Sequence, residues 1–437
     1  MGKHCFGNRR IRNQVGMSHL TSVIFIFLTQ LTYAQVYEGP YIDMTYHPDV
    51  RTVQLYPSSG GINDVIKSPV IPLNYDLPLV LDFDILDEEP YNLAAKVMYL
   101  NHNWLPTLRT ENEYLSTYNE FYLRDFTPSF VGKIPYVHYH FQLPKVKLSG
   151  NYLLIVYRNN NPNEVFLTKR FMIYEDILKI THEPTIFNGT PNGEFQNVSF
   201  KVSYDNTNIY NPVQNIHTVI RKNNRWDQEK KDVKPTFYNE GLKTMDFSLI
   251  GEKYQFIGGN EFRVFDLRST FSTGMNIVHI DDTSDVNEAT LLQDEPRVNQ
   301  LKYLNDINGS YVIDHYEYGN GSTDSDYLYT YFVLNYPKKL DKDVYVFGAL
   351  SEWKLKKEFK MIYSEENKFY YARPLIKQGY YNYEYVVAQN KSTIDETFIE
   401  GSFNLTENQY EVFIYLTEPG TLNERLIGYK TIIINPK

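Results

Sequence analysis

Residues 376–387, IKQGYYNYEYVV, set four tyrosines into six positions. On a strand, side chains alternate between faces. Tyr381, Tyr383, Tyr385 and Val387 then share one side, and Tyr380, Asn382, Glu384 and Val386 the other. One face is continuously aromatic and the other mixed, the pattern of a half-buried strand. The same residues raise a functional question, because a row of aromatic rings is either a platform for sugars or part of a core.

Working outward, short alternating segments recur at roughly ten-residue spacing, separated by Gly, Pro, Asn and Asp. They are TVQLY (52–56), LVLDFDIL (79–86), YLLIVYR (152–158), VSFKVSY (198–204), FRVFDLRS (262–269), YTYFVLNY (329–336), DVYVFGAL (343–350) and YEVFIYL (410–416). The chain holds 39 Tyr and 26 Phe, residues that favour strands. The best helical candidate is TLRTENEYLSTYNEFYL (107–123). These features predict an all-β chain of tandem immunoglobulin-like β-sandwich domains.

The first 34 residues differ from the rest. Lys3, Arg9, Arg10 and Arg12 precede the apolar run Val23–Leu28, and Thr32-Tyr33-Ala34 offers small residues for cleavage before Gln35. This pattern is that of a secretory signal peptide, too short for a membrane span. Met17 is an alternative start, since the apolar run comes after it. Turn-rich stretches at 177–192 and 319–326 divide the remainder into expected domains at 35–177, 178–321 and 322–437. Each part holds about 110–145 residues, an ordinary domain size.

The single cysteine, Cys5, lies in the leader, so the mature chain has no disulfide and no thiol chemistry. An exported chain without disulfides points to a bacterial envelope protein. Lys and Arg number 43; four lie in the leader, leaving 39 against 53 Asp and Glu, a net charge of −14. Such a chain is a poor partner for nucleic acid or anionic lipid.

Catalytic motifs are missing: there is no G-x-S-x-G elbow, HExxH or P-loop. No catalytic residue, cofactor or metal site is expected, and the chain is read as a non-enzyme. Weaker signals each have a structural explanation. His138 and His140 share a strand face, as metal ligands do, but no third ligand is identifiable. NDINGS (305–310) carries a fragment of a calcium loop and reads better as an Asn-Gly turn. DDTSDVNE (281–288) and TDSD (323–326) read as solvated acidic loops. Within GGNEFRVFDLRS (258–269), Arg263 and Arg268 are the candidate partner contacts, with internal salt bridges as the alternative.

In the last part, DVYVFGALSEWK (343–354) and then the tyrosine strand give the order strand, Gly, Trp, strand. This order is similar to immunoglobulin-like starch-binding modules, in which the corresponding tyrosine strand is largely core. Tyr381, Tyr383 and Tyr385 are accordingly expected to be packing residues.

In order along the chain stand RTVQLYP (51–57), LVLDFDIL, NHNW (101–104), YLSTYNEF (114–121), YVHYHFQLP (136–144), SGNYLLIVY (149–157) and LTKRFMIYED (167–176). Further on stand GGNEFRVFDLRS, DINGSYVI (306–313), VYVFGALSEW (344–353), KQGYYNYEYV (377–386) and GSFNLTENQYEVFIYLTEPGTLNERLIGY (401–429). Together these segments resemble the type 9 secretion system plug protein family of Bacteroidota over nearly the whole mature chain. There are two departures. The family often shows Cys near the position read here as Asn101-His102-Asn103-Trp104, and Glu424 stands where an Asp is typical. The resemblance implies a non-enzymatic periplasmic protein, peripheral to the outer membrane. Its implied partner is the SprA-like outer-membrane translocon barrel, whose periplasmic mouth it occludes when no carrier protein is bound. A periplasmic or surface glycan-binding protein is the alternative.

Overall fold

A computed structural model describes residues 37, 39–130, 132–183, 193–205, 207–248, 253–317, 319–390, 393–421 and 423–437. Residues 1–34, expected to be a signal peptide, and residues 184–192 of the first expected boundary lie outside the described residues. Residues 39–437 form one compact unit. It is all-β, built of several separate and mostly antiparallel sheets arranged as tandem β-sandwiches. No helix among the described residues is long and apolar enough to cross a membrane.

Every alternating segment quoted above contains a strand. In the first sandwich, Val50–Pro57, Leu79–Ile85, Val137–Gln142 and Phe126–Pro128 form one sheet. The other is built on Leu93–Leu100, Gly150–Arg158 and Asn161–Tyr174. Inward residues of both sheets, among them Leu81, Phe83, Tyr139, Val97, Tyr152 and Phe171, make one core. Phe83 stacks on Tyr139 at 5.0 Å, and Tyr152 on Phe171 at 5.1 Å. Such aromatic pairs add roughly 1 kcal/mol each beyond their area burial.

The expected helix over 107–123 shrinks to Glu111–Tyr114. The Glu113 carboxylate caps that turn, accepting the Thr110 N–H at 2.6 Å and its hydroxyl at 3.1 Å. The chain beyond Tyr114 is drawn to the sheet instead. Phe121–Tyr122 pairs with Ala94–Ala95. The buried Asn119 amide satisfies Val97, accepting from its N–H at 2.9 Å and donating to its carbonyl at 2.8 Å. An open strand edge offering unpaired backbone groups outweighs the modest helix propensity of this segment.

The second sandwich is discontinuous in sequence. One sheet holds Lys179–His182, Ser199–Ser203, Thr244–Ser248 and Phe237–Asn239. The facing sheet holds Glu229–Lys230 and Ile216–Lys222, completed by Asn408–Thr417 and Glu424–Ile434 from the C-terminus. Their shared core runs from Leu178 to Phe256 and resumes from Tyr410 to Ile434. The third core spans Phe265 to Ile399 and lies between those two stretches of chain. The linear division expected at 178–321 and 322–437 thus meets cores that interleave, with the last two strands seated in the second sandwich.

The tyrosine strand, Gly379–Ala388, is the centre of the third sandwich. Arg263–Asp266, Tyr311–Ile313, Val344–Phe347 and Ile394–Asp395 all pair with it. Tyr381, Tyr383 and Tyr385 lie in the core, with Tyr381 stacked on Phe265 at 5.0 Å and on Tyr311 at 5.3 Å. The Tyr383 and Tyr385 hydroxyls both donate to Asp294, at 2.7 and 2.8 Å, so burial leaves neither unsatisfied. The expectation of a half-buried strand is corrected here: Asn382 and Glu384 on the other face are buried too. The second sandwich covers that face, and its Arg225 reaches Glu384 at 3.4 Å.

Candidate functional site

The three sandwiches meet through polar groups that are nearly all buried. Between the first and third, the Lys377 ammonium lies 2.5 Å from Asp84 Oδ2, both residues being almost fully buried. The Tyr327 hydroxyl donates to the same carboxylate at 2.7 Å, and His138 Nδ1 sits 2.8 Å from its other oxygen. His140 Nδ1 is 2.7 Å from Asp82. The two histidines that shared a strand face are therefore each paired with an aspartate of the neighbouring strand Leu79–Ile85. Burial disfavours the charged imidazole of His138, but hydrogen bonds to Asp82 and Asp84 outweigh it and push its pKa up to about 9. Burial likewise raises Asp84, yet Lys377 and His138 together hold it below the usual carboxylate range.

Between the second and third sandwiches, Arg225 bonds Asp227 at 2.6 Å and also reaches Glu396 and Glu384. Its guanidinium lies 4.3 Å from the Trp353 ring. Between the first and second, Trp104 and Trp226 pack edge-to-face at 4.8 Å with Arg170 4.8 Å from each ring, and Arg221 covers Trp226 at 3.9 Å. Trp226, Trp353, Arg170, Asp43 and Glu352 line a cavity of about 360 Å³ where all three sandwiches converge. Breaking any of these junctions would strand a desolvated charge, which favours the three sandwiches staying together as one compact unit.

The two arginines singled out in the sequence occupy different surroundings. Arg263 is buried, with Nε 2.9 Å from Glu400 and Nη1 2.5 Å from Asp294. Burial works against its charge, and Glu400 and Asp294 more than compensate. Arg297 shares Glu400 at 2.7 Å. Arg268 is partly exposed, bonded to Asp266 at 2.7 Å and stacked 4.5 Å from the Tyr316 ring. Both arginines make internal ion pairs, and Arg268 alone keeps a solvent-facing side.

The remaining sequence signals resolve locally. Asn308 and Gly309 both take positive φ (53° and 77°), and Ser310 N–H donates to the Ile307 carbonyl at 3.1 Å, a type I′ turn. Asp306 spends its oxygens on the N–H groups of Phe262 and Asn308, at 2.6 and 2.8 Å. In the loop after 281, Lys133 of the first sandwich donates to the carbonyls of Asp282 and Ser284. Within 323–326, Asp326 binds the Lys133 N–H and the Asn287 amide.

Two features escaped the sequence. Exposed apolar side chains are dense between Leu105 and Phe130: Leu108 is 88% exposed, Tyr118 79% and Phe130 92%, with Leu105, Tyr122 and Phe126 also open. The signal was present, since this stretch is aromatic, but a helical pattern conceals which rings face outward. The second is a convergence of His102, His217 and Asp232, which come from separate parts of the chain. His102 lies more than a hundred positions from the other two, a separation no spacing rule spans.

Residues 50–175 match the family described as Type 9 secretion system plug protein 1st domain. The matched span coincides with the first sandwich, and over those residues it bears out the resemblance read from the sequence. The chain is also similar to a hypothetical protein from Parabacteroides merdae ATCC 43184 of known crystal structure, at 26% identity and a TM-score of 0.83, over 91% of this chain and 100% of that one. An Escherichia coli alpha-2-macroglobulin activated by porcine elastase aligns at 10% identity over 88% of this chain and 30% of that one, with a TM-score of 0.16. Dpr2 Ig1-Ig2 in complex with DIP-Theta Ig1-Ig3 aligns at 11% identity over 87% and 98%, with a TM-score of 0.12. Likenesses that low carry no argument. No curated protein matches the chain. The family match supports a role related to the type 9 secretion system and fits an exported, non-enzymatic protein.

Proposed function

We propose that this chain, which carries a type 9 secretion system plug protein 1st domain, is a non-enzymatic periplasmic plug that seals the periplasmic opening of the SprA-like outer-membrane translocon when no carrier protein occupies it. The observation that carries the proposal is the family match over residues 50–175. The physics of the block is in keeping with it. A barrel wide enough for folded cargo leaks unless a body that does not deform closes it. Buried ion pairs at two of the junctions and arginine–tryptophan contacts at the third hold the three sandwiches together as such a body. A reversible seal calls for a moderate interface with some apolar anchors and a polar rim. The exposed apolar flank between Leu105 and Phe130 supplies anchors on the matched domain itself. Arg268 is the better placed of the two arginines for a rim contact.

The glycan-binding alternative calls for an exposed pair of coplanar aromatic rings in the third sandwich, and Tyr381, Tyr383 and Tyr385, being core, do not supply it. The test is purification of the tagged translocon from detergent-solubilised outer membranes, with mass spectrometry of what accompanies it. The expected result is this chain in the complex, enriched when the carrier protein is deleted. A chain free of the translocon under every condition would overturn the proposal.

A further inference from the structure

His102, His217 and Asp232 bring three metal-binding atoms within 4.8 Å of one another at the junction of the first and second sandwiches. His102 comes just after the strand Leu93–Leu100 of the first sandwich. His217 lies on Ile216–Lys222 of the second, and Asp232 comes just after its neighbour Glu229–Lys230. The arrangement is directional. Glu424 grips His102 with both oxygens: Oε2 accepts the backbone N–H at 2.7 Å, and Oε1 lies 2.8 Å from Nδ1. A carboxylate on Nδ1 fixes the proton there and leaves Nε2 with its lone pair outward. The Asn103 amide donates to that nitrogen at 2.8 Å. Beyond it, 3.5 Å away, stands the Asp232 carboxylate. A cation entering between Nε2 and Asp232 would take the place of the Asn103 amide on that lone pair. His217 Nδ1 lies 2.9 Å from the same Asp232 oxygen.

We propose that His102, His217 and Asp232 form a divalent transition-metal site of the zinc class, with Glu424 orienting His102 from behind. Two imidazoles and one carboxylate suit zinc and its neighbours rather than calcium or magnesium, which take all-oxygen shells. Metal–ligand bonds of about 2.0–2.2 Å in a tetrahedron set ligand atoms roughly 3.3–3.6 Å apart. The His102–Asp232 separation of 3.5 Å falls in that range, and the His217–Asp232 separation of 2.9 Å is shorter and must open on binding. The two rings are stacked, 4.2 Å between centroids and 17° apart in plane. Stacked rings cannot both aim in-plane lone pairs at one ion, so binding turns the less buried His217 ring about its Cβ–Cγ bond. His102 is buried, whereas the Asp232 side chain is 47% exposed. The ion therefore enters from the Asp232 side, and water takes the fourth position. Such an ion bridges the first sandwich to the second, with Glu424 of the last strand holding it from behind. Its role there is a staple.

The experiment uses the mature chain with no affinity tag, stripped with chelator and desalted, then titrated with zinc chloride by calorimetry. Cobalt(II) substitution reports geometry through its visible absorption. The expected result is one equivalent of zinc, a tetrahedral cobalt spectrum and a raised thermal midpoint. All three should be lost in H217A and in D232N; the Asp232 side chain is exposed and that of His217 partly so, and D232N keeps the side-chain volume, so the chain still folds. Glu424→Gln should weaken zinc by about 10–100-fold while leaving one equivalent bound. Absence of stoichiometric zinc binding, or binding of equal strength in H217A and D232N, would overturn the proposal.

Discussion

Replacing Lys377 by methionine isolates the charge that ties the third sandwich to the first. Methionine keeps the length of the side chain and its packing but removes the ammonium. Lys377 and Asp84 are 2% and 1% exposed, so the orphaned carboxylate stays out of water. Breaking a buried pair in this way costs about 3–5 kcal/mol. Two features pull the figure to the lower end. His138 and the Tyr327 hydroxyl still bond Asp84. The Ser322 carbonyl, bonded by Lys377, keeps the Tyr136 hydroxyl at 3.2 Å. A loss of about 3 kcal/mol is expected, roughly 4 °C in thermal midpoint for a cooperative unit spanning residues 39–437. The pH dependence has a definite sign. Lys377 and His138 hold Asp84 below its ordinary range against the pull of burial. Without Lys377 its folded pKa rises, so the deficit of the variant should shrink as the pH falls and Asp84 takes up a proton. Adding Asp84→Asn should recover at least half of the loss, because no buried charge is then left unpaired. Thermal and urea midpoints of the two single variants and the double variant close the cycle. A deficit below about 1 kcal/mol, or a double variant no better than Lys377→Met, would refute the claim that this pair locks the junction.

Raising the folded pKa of His138 from 6.5 to about 9 is equivalent to about 3 kcal/mol, present below pH 6.5 and lost as the pH climbs through 9. Urea midpoints at pH 6 and pH 10 should show that decline, and His138→Gln should flatten it. Arg263→Ala should cost about 3 kcal/mol or more, because it leaves the buried Glu400 with Arg297 alone. Arg268→Ala, removing a partly exposed pair, should cost less than about 1 kcal/mol. Equal losses in chemical denaturation would show that burial does not separate the two arginines. Gly309→Ala meets both a φ of +77° and a Trp353 ring carbon 2.3 Å from the new Cβ. A loss of at least about 2 kcal/mol is expected, with a shifted Trp353 emission; an unchanged midpoint would mean the turn yields.

Much of this molecule was legible in its sequence. Alternation between faces is a local property, set by side-chain geometry on an extended chain. For that reason the segments from TVQLY to YEVFIYL each hold a strand, and Tyr381, Tyr383 and Tyr385 turn inward. The Asn308-Gly309 turn was legible because few residues tolerate two successive positive φ angles. Ordered segments over residues 51–176 carried the family resemblance that the first-domain match bears out. Other features belong to the tertiary structure. Alternation states which side of a strand is apolar, but backbone hydrogen bonds are the same for every sequence and do not name the neighbouring strand. Only the fold decided that Asn408–Thr417 joins Ile216–Lys222. Only the fold covered the Glu384 face of the tyrosine strand, since a mixed face is buried when another domain brings a countercharge such as Arg225. His102, His217, Asp232 and Glu424 are scattered over more than three hundred positions and meet where two sandwiches close. Local patterning determined the strands; long-range packing determined which charges and ligands face one another, because those contacts exist only after the cores have formed.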